Sequence, residues 1–154
     1  MLVEHVFVTT LECDDALARS AGFLKGLGFR IKPSESGSLH AVRGKKHPRT
    51  RKLVRLPQVV RMTYDRGRVT VAAGLTPRRG RVRPVYARLM TALARGLELL
   101  LVQGAPPDQA AAECRQIETR FGSLWTLGEK IVVTLLIILL LALIGIIIAA
   151  AANI

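Results

Sequence analysis

The chain has 154 residues, with 23 Lys and Arg against 11 Asp and Glu, a formal net charge of +12, and 50% hydrophobic residues. Its two cysteines, Cys13 and Cys114, lie far apart and form no C-x-x-C pair, which excludes a cysteine-built framework. In a reducing compartment both are expected as free thiols packed like small apolar groups.

In chain order, "LVEHVFVTTLEC" is rich in Val, Thr and Phe and predicts a strand. Asp14 is the expected N-cap of a helix over "DALARSAGFLKGLGF", with Leu17, Ala21, Leu24 and Leu27 at helical spacing and Gly26 and Gly28 at its end. "FRIK" and "SLHAVRG" predict two short strands with a turn from Pro33 to Gly37. "RKLVRLP" reads as a further extended piece.

The clearest hairpin is "VVRMTYDRGRVTVAAGLTP". Val60, Met62 and Tyr64 alternate with Arg61 and Thr63, and Val69 and Val71 with Arg68 and Thr70, across an Asp65-Arg66-Gly67 turn. One face is apolar; the other is basic and hydroxylated. A sheet of this kind covers its apolar face with helices and shows the other to water or a partner.

Pro84 starts a long helix with a stripe of Tyr86, Leu89, Met90, Leu93, Leu97, Leu100 and Leu101, stopped by Gly104. Pro107 suits the first turn of another, along which Ala110, Cys114, Ile117 and Phe121 align. The order of strand, helix, strands, then helices predicts an α+β fold, a small antiparallel sheet with helices on one face.

The last stretch, Ile131 to Ala152, contains one polar side chain, Thr134. As a helix it would run about 33 Å, matching a hydrocarbon core of about 30 Å. Its Leu, Ile and Val residues would favour insertion by about 5 to 9 kcal/mol. The expectation is a single C-terminal transmembrane helix, with Trp125 and Lys130 as anchors at the membrane interface. The N-terminus "MLVEHVFVTTLECDD" lacks the basic start and long apolar run of a leader. The chain is therefore expected to be single-pass and tail-anchored, its N-terminal domain cytoplasmic and its C-terminus at the opposite face. The expected division is an α+β domain over 1–104, a helix and juxtamembrane connector over 105–128, and the anchor over 129–154. Ala142, Gly145 and Ala149 form a notch of small residues at which another helix can approach closely.

The charge is local. From Arg43 to Arg83 there are 14 Lys and Arg and one acid, Asp65, so this segment alone carries +13. Two loops hold most of it: Arg43, Lys45, Lys46, Arg49, Arg51 and Lys52 in the first, and Arg78, Arg79, Arg81 and Arg83 in the second. The polar face of the hairpin lies between them. Like charges at this density repel one another, and an anionic counterpart relieves them. Three counterparts fit: anionic headgroups of membrane lipids, an acidic surface on an integral-membrane protein, and nucleic acid. Nucleic acid ranks third, because Tyr64 is the one aromatic in the region to stack on bases.

Catalytic and metal chemistry find no support. His5, His40 and His47 lack the i, i+2 spacing that puts two ligands on one strand face. Asp14 and Asp15 are explained by a helix start. "GFLKGLG" has neither the preceding strand nor the Lys-Ser/Thr ending of a phosphate loop. No catalytic residue, metal or cofactor is expected. The reading is a non-catalytic membrane protein whose basic domain engages anionic headgroups or an acidic partner, as an accessory or scaffolding subunit. The alternatives are a hydrophobic-ligand or lipid-binding domain, with a cleft between the Met62, Tyr64 and Val71 face and the Leu89, Leu93 and Leu97 stripe, and membrane-tethered nucleic-acid binding.

Overall fold

The computed structural model describes residues 1–44, 56–75, 84–121 and 127–152, with side chains in the last stretch described at 131–142 and 144. The chain forms two compact units, Met1–Ser123 and Leu124–Ile154.

In the first unit, β1 (Leu2–Val8) leads into α1 (Cys13–Gly26), then β2 (Arg30–Lys32), β3 (Ser38–Arg43), β4 (Gln58–Asp65), β5 (Arg68–Leu75), α2 (Pro84–Val102) and α3 (Pro107–Arg120). The strands make one antiparallel sheet in the order β1-β5-β4-β3-β2. The fold is α+β, as the order of elements predicts. β1 and β2 are neighbours in sequence yet sit at opposite edges. Four strand spacings of about 4.8 Å make a sheet about 19 Å wide. α1 has 14 residues, about 21 Å of helix, enough to carry the chain from one edge to the other.

The β4–β5 turn has two central residues, Arg66 at φ 46° and Gly67 at φ 84°. Both lie in the left-handed region that a type I′ turn requires, and the twist of that turn matches the strands. The Gly67 carbonyl also accepts a hydrogen bond from Thr9 N at 2.8 Å, tying the end of β1 to the hairpin.

The core lies between the sheet and α1 and α2. Phe7, Leu39, Ala41, Val60, Met62, Val69, Val71, Ala73 and Leu75 supply the sheet side. All seven positions of the expected α2 stripe are buried. In α1 the buried line is Ala16, Ser20, Phe23 and Leu24, with Leu27 just beyond. Leu17 and Ala21 lie at its flank, so the stripe is rotated from the expected one. A polar residue holds a core position because the Ser20 hydroxyl donates to the Ala16 carbonyl at 2.7 Å. The α1 N-cap is Glu12, without a side-chain cap bond; Asp14 and Asp15 fall in the first turn, where their charge suits the helix dipole.

α3 belongs to the first unit, burying Ala110, Ala111 and Cys114. Gly96 makes this approach possible: a Cβ there would stand 2.6 Å from the Ala110 carbonyl oxygen and 3.0 Å from the Phe23 ring. The extended reading of "RKLVRLP" falls largely outside the described residues.

The second unit contains α4 (Leu127–Ala152). The expectation of a membrane-spanning helix is overturned: among the described residues, no helix is long and apolar enough to cross a membrane. The single-pass, tail-anchored localisation with a cytoplasmic N-terminal domain is withdrawn with it, and so is the basis for Trp125 and Lys130 as interface anchors.

Candidate functional site

Strand alternation sorts the sheet residues by face. On the face away from α1 and α2, the register builds rows across the strands. One row runs Leu2, Gly74, Val59, Val42, Arg30; the next runs Glu4, Ala72, Arg61, His40, Lys32. A third is Val6, Thr70, Thr63 and Ser38, and Val8, Arg68 and Asp65 close the sheet at the hairpin end. Lys32, His40 and Arg61 are thus direct cross-strand neighbours on three adjacent strands. Opposed residues of this kind have Cβ atoms about 4.5–5.5 Å apart. Lys32 and Arg61 are exposed and His40 is half-buried.

The carboxylates on this face stand elsewhere. Glu4 is at the far end of the row beyond Ala72, and Asp65 faces Arg68. The His40 imidazole registers the imbalance. Burial lowers its pKa below the usual 6.5, and the positive charges of Arg61 and Lys32 lower it further.

Sequence reasoning reached the hairpin part of this face, Arg61, Thr63, Arg68 and Thr70, but not Lys32 and His40. The missing signal was register. Lys32 and His40 flank a loop eight residues apart in sequence, and only the β2–β3 pairing sets them side by side.

Arg43, expected with the basic loop, points the other way. It follows Leu39 and Ala41 at alternate positions, and its guanidinium lies under the sheet. It donates to the Leu27 carbonyl at 2.6 Å and to Gln58 Oε1 at 2.9 Å, pairs with Glu118, and stands 4.8 Å from the Phe29 ring centroid. The Arg43 side chain is 10% exposed and Glu118 16%. This cation joins β3, β4, the end of α1 and α3, and is committed inside the fold.

Lys45, Lys46, Arg49, Arg51, Lys52, Arg78, Arg79, Arg81, Arg83 and Trp125 lie outside the described residues, as does His47. Lys130 lies on α4 without a described side chain. Ala142, Gly145 and Ala149 all fall on α4, where steps of three and four residues put them on one helical face.

His5 and His40 belong to opposite faces of the sheet. His5 Nε2 meets Glu98 Oε2 at 2.7 Å, linking β1 to α2. Among the described residues, no three His, Cys, Asp or Glu gather closely enough to hold a metal ion.

Between the sheet and α2, where a ligand cleft was the alternative expectation, Met62, Val71, Leu89, Leu93 and Leu97 are each at most 1% exposed. The Tyr64 hydroxyl donates to the Leu11 carbonyl at 2.8 Å. A cavity of about 450 Å³ lies instead on the outer side of α2, against α3.

No family model matches the chain, and no curated protein matches its sequence.

Proposed function

We propose that this chain is a non-catalytic binding module that docks an acidic protein partner on the open face of its sheet, as an accessory or scaffolding subunit. The observation that carries the reading is the Lys32–His40–Arg61 row, three basic side chains abreast with no carboxylate among them. Beside it runs an apolar strip of Leu2, Gly74, Val59 and Val42, with Leu2 68% exposed. An apolar strip edged by Arg and Lys suits a protein surface carrying carboxylates around an apolar centre. It suits single-stranded nucleic acid less well, because no aromatic side chain stands at these open-face positions to stack on a base.

The test uses the full chain and a poly-glutamate peptide at low salt. The peptide is expected to bind and to raise the His40 pKa, followed by the histidine proton resonances. The K32E/R61E double variant is expected to lose binding by roughly a hundredfold, two charge contacts at about tenfold each. Unchanged binding by that variant, a His40 signal indifferent to the peptide, or tighter capture of a single-stranded oligonucleotide by the same face overturns the reading.

A further inference from the structure

The cavity between α2 and α3 is independent of the sheet face. Ala87, Arg88 and Arg95 line it from α2, Glu113, Ile117 and Arg120 from α3, and Phe121 from just beyond the end of α3. Its volume of about 450 Å³ falls in the ordinary range for small-molecule sites, about 300–1,000 Å³.

The two helices run antiparallel, with Gly96 against Ala110. That register sets Arg95 toward Glu113 at one end. Arg88 falls at the other end, with Ile117, Arg120 and Phe121. Among the described residues neither Arg88 nor Arg95 has an ion-pair partner, while Asp108 is taken by Arg115 at 3.0 Å. The Arg120 guanidinium stands 5.7 Å from the Phe121 ring centroid. Ala87, Ile117 and Phe121 are half-buried and supply an apolar floor. Three arginines face a single carboxylate, Glu113, so the cavity favours a negative guest.

We infer that this cavity is a binding site for a small amphiphilic anion, with Arg88 and Arg120 clamping its phosphate or carboxylate and Ile117 and Phe121 seating its apolar or aromatic body. The guanidinium fork matches both anions in bidentate fashion. An aromatic body lies against the Phe121 ring, leaving Arg120 free to turn toward the anion.

The probe is 1-naphthyl phosphate, titrated into the full chain by calorimetry, with inorganic phosphate and 1-naphthol as its two halves. Saturable one-to-one binding of the whole probe is expected, tighter than of either half. Arg88→Ala and Arg120→Ala are each expected to weaken it roughly tenfold, as for loss of a charge-assisted contact. Arg95→Ala is expected to weaken it less, and K32E/R61E not at all. Both clamp arginines are exposed, so the variants should melt like the parent; Arg88→Gln serves where Arg88→Ala does not. Equal binding of 1-naphthol identifies a merely greasy groove. Equal binding of inorganic phosphate identifies a surface charge effect. Either result, an absence of saturable binding, or insensitivity to both arginine changes overturns the site. Loss of poly-glutamate binding by K32E/R61E alone bears on the sheet face and leaves this cavity untouched.

Discussion

Arg43 stands two residues beyond Ala41 and four beyond Leu39, and strand parity sends all three to the helix-covered face. The desolvation of that guanidinium is offset by Glu118 and by the Gln58 and Leu27 oxygens that surround it. Removing one partner of such a pair strands the other in a poorly solvated site. Arg43→Ala is expected to cost about 3 kcal/mol in chemical denaturation. Arg43→Lys is expected to rescue little, since an ammonium lacks the fork that reaches Leu27 and Gln58 together. A loss under about 0.5 kcal/mol would place Arg43 among ordinary surface residues.

The cysteines should differ in the same way. Burial pushes the Cys114 thiol up to about 12, with the Glu118 and Glu113 carboxylates adding to the rise and Arg43 opposing it. Cys13 is half-buried at the start of α1. Iodoacetamide at pH 8 is expected to label Cys13 first in the folded protein, and Cys114 only on unfolding. His40 sets a pH effect of known sign. Its pKa lies below the usual 6.5 in the fold, so the unfolded chain binds the proton more readily. The stability His40 contributes is whole above about pH 6.5 and declines as pH falls through the window below it. His40→Gln is expected to flatten that decline in denaturation curves measured between pH 7.5 and 5.

Among the elements, the α2–α3 contact is the most sensitive to one atom. In an open helix, Gly→Ala stabilises by about 0.5–1 kcal/mol. Gly22, exposed in α1 with nothing within 4 Å of an added Cβ, is expected to follow that rule. At Gly96 the sign reverses, because the added carbon meets the backbone of α3. Gly96→Ala is expected to destabilise by roughly 1–3 kcal/mol as overpacking forces the helices apart. Paired thermal melts of the two variants check this. The hairpin turn, the α2 stripe and the glycine after α1 were all readable from local pattern. The α1 face was not: Ser20 looks polar in the sequence, and only its bond to Ala16 within the helix lets it face the core.

At the scale of the molecule, the first unit holds the five-stranded sheet and its helical cover. A chain ending at Ser123 is expected to fold by itself, with one cooperative thermal transition and the histidine resonances of the full chain. A broad, non-cooperative melt would show that the sheet depends on the second unit. α4 poses a different question. Between 131 and 144 its described Leu, Ile and Val side chains are 39–64% exposed, on a helix that is apolar all round. Hydropathy alone assigns that segment to a bilayer, yet among the described residues no helix is long and apolar enough to cross one.

What the sequence determined by itself was local: alternation set the two faces of the β4–β5 hairpin, glycine and proline marked where helices start and stop, and composition concentrated the positive charge between Arg43 and Arg83. Tertiary structure alone decided which charges act together. It turned Arg43 inward to Glu118 and drew Lys32 and His40 into line with Arg61. It also opened a cavity between two helices joined by a short loop. The reason is that charge interaction and cavity shape depend on distances across the fold, and those distances are set by strand register and helix packing rather than by separation along the chain.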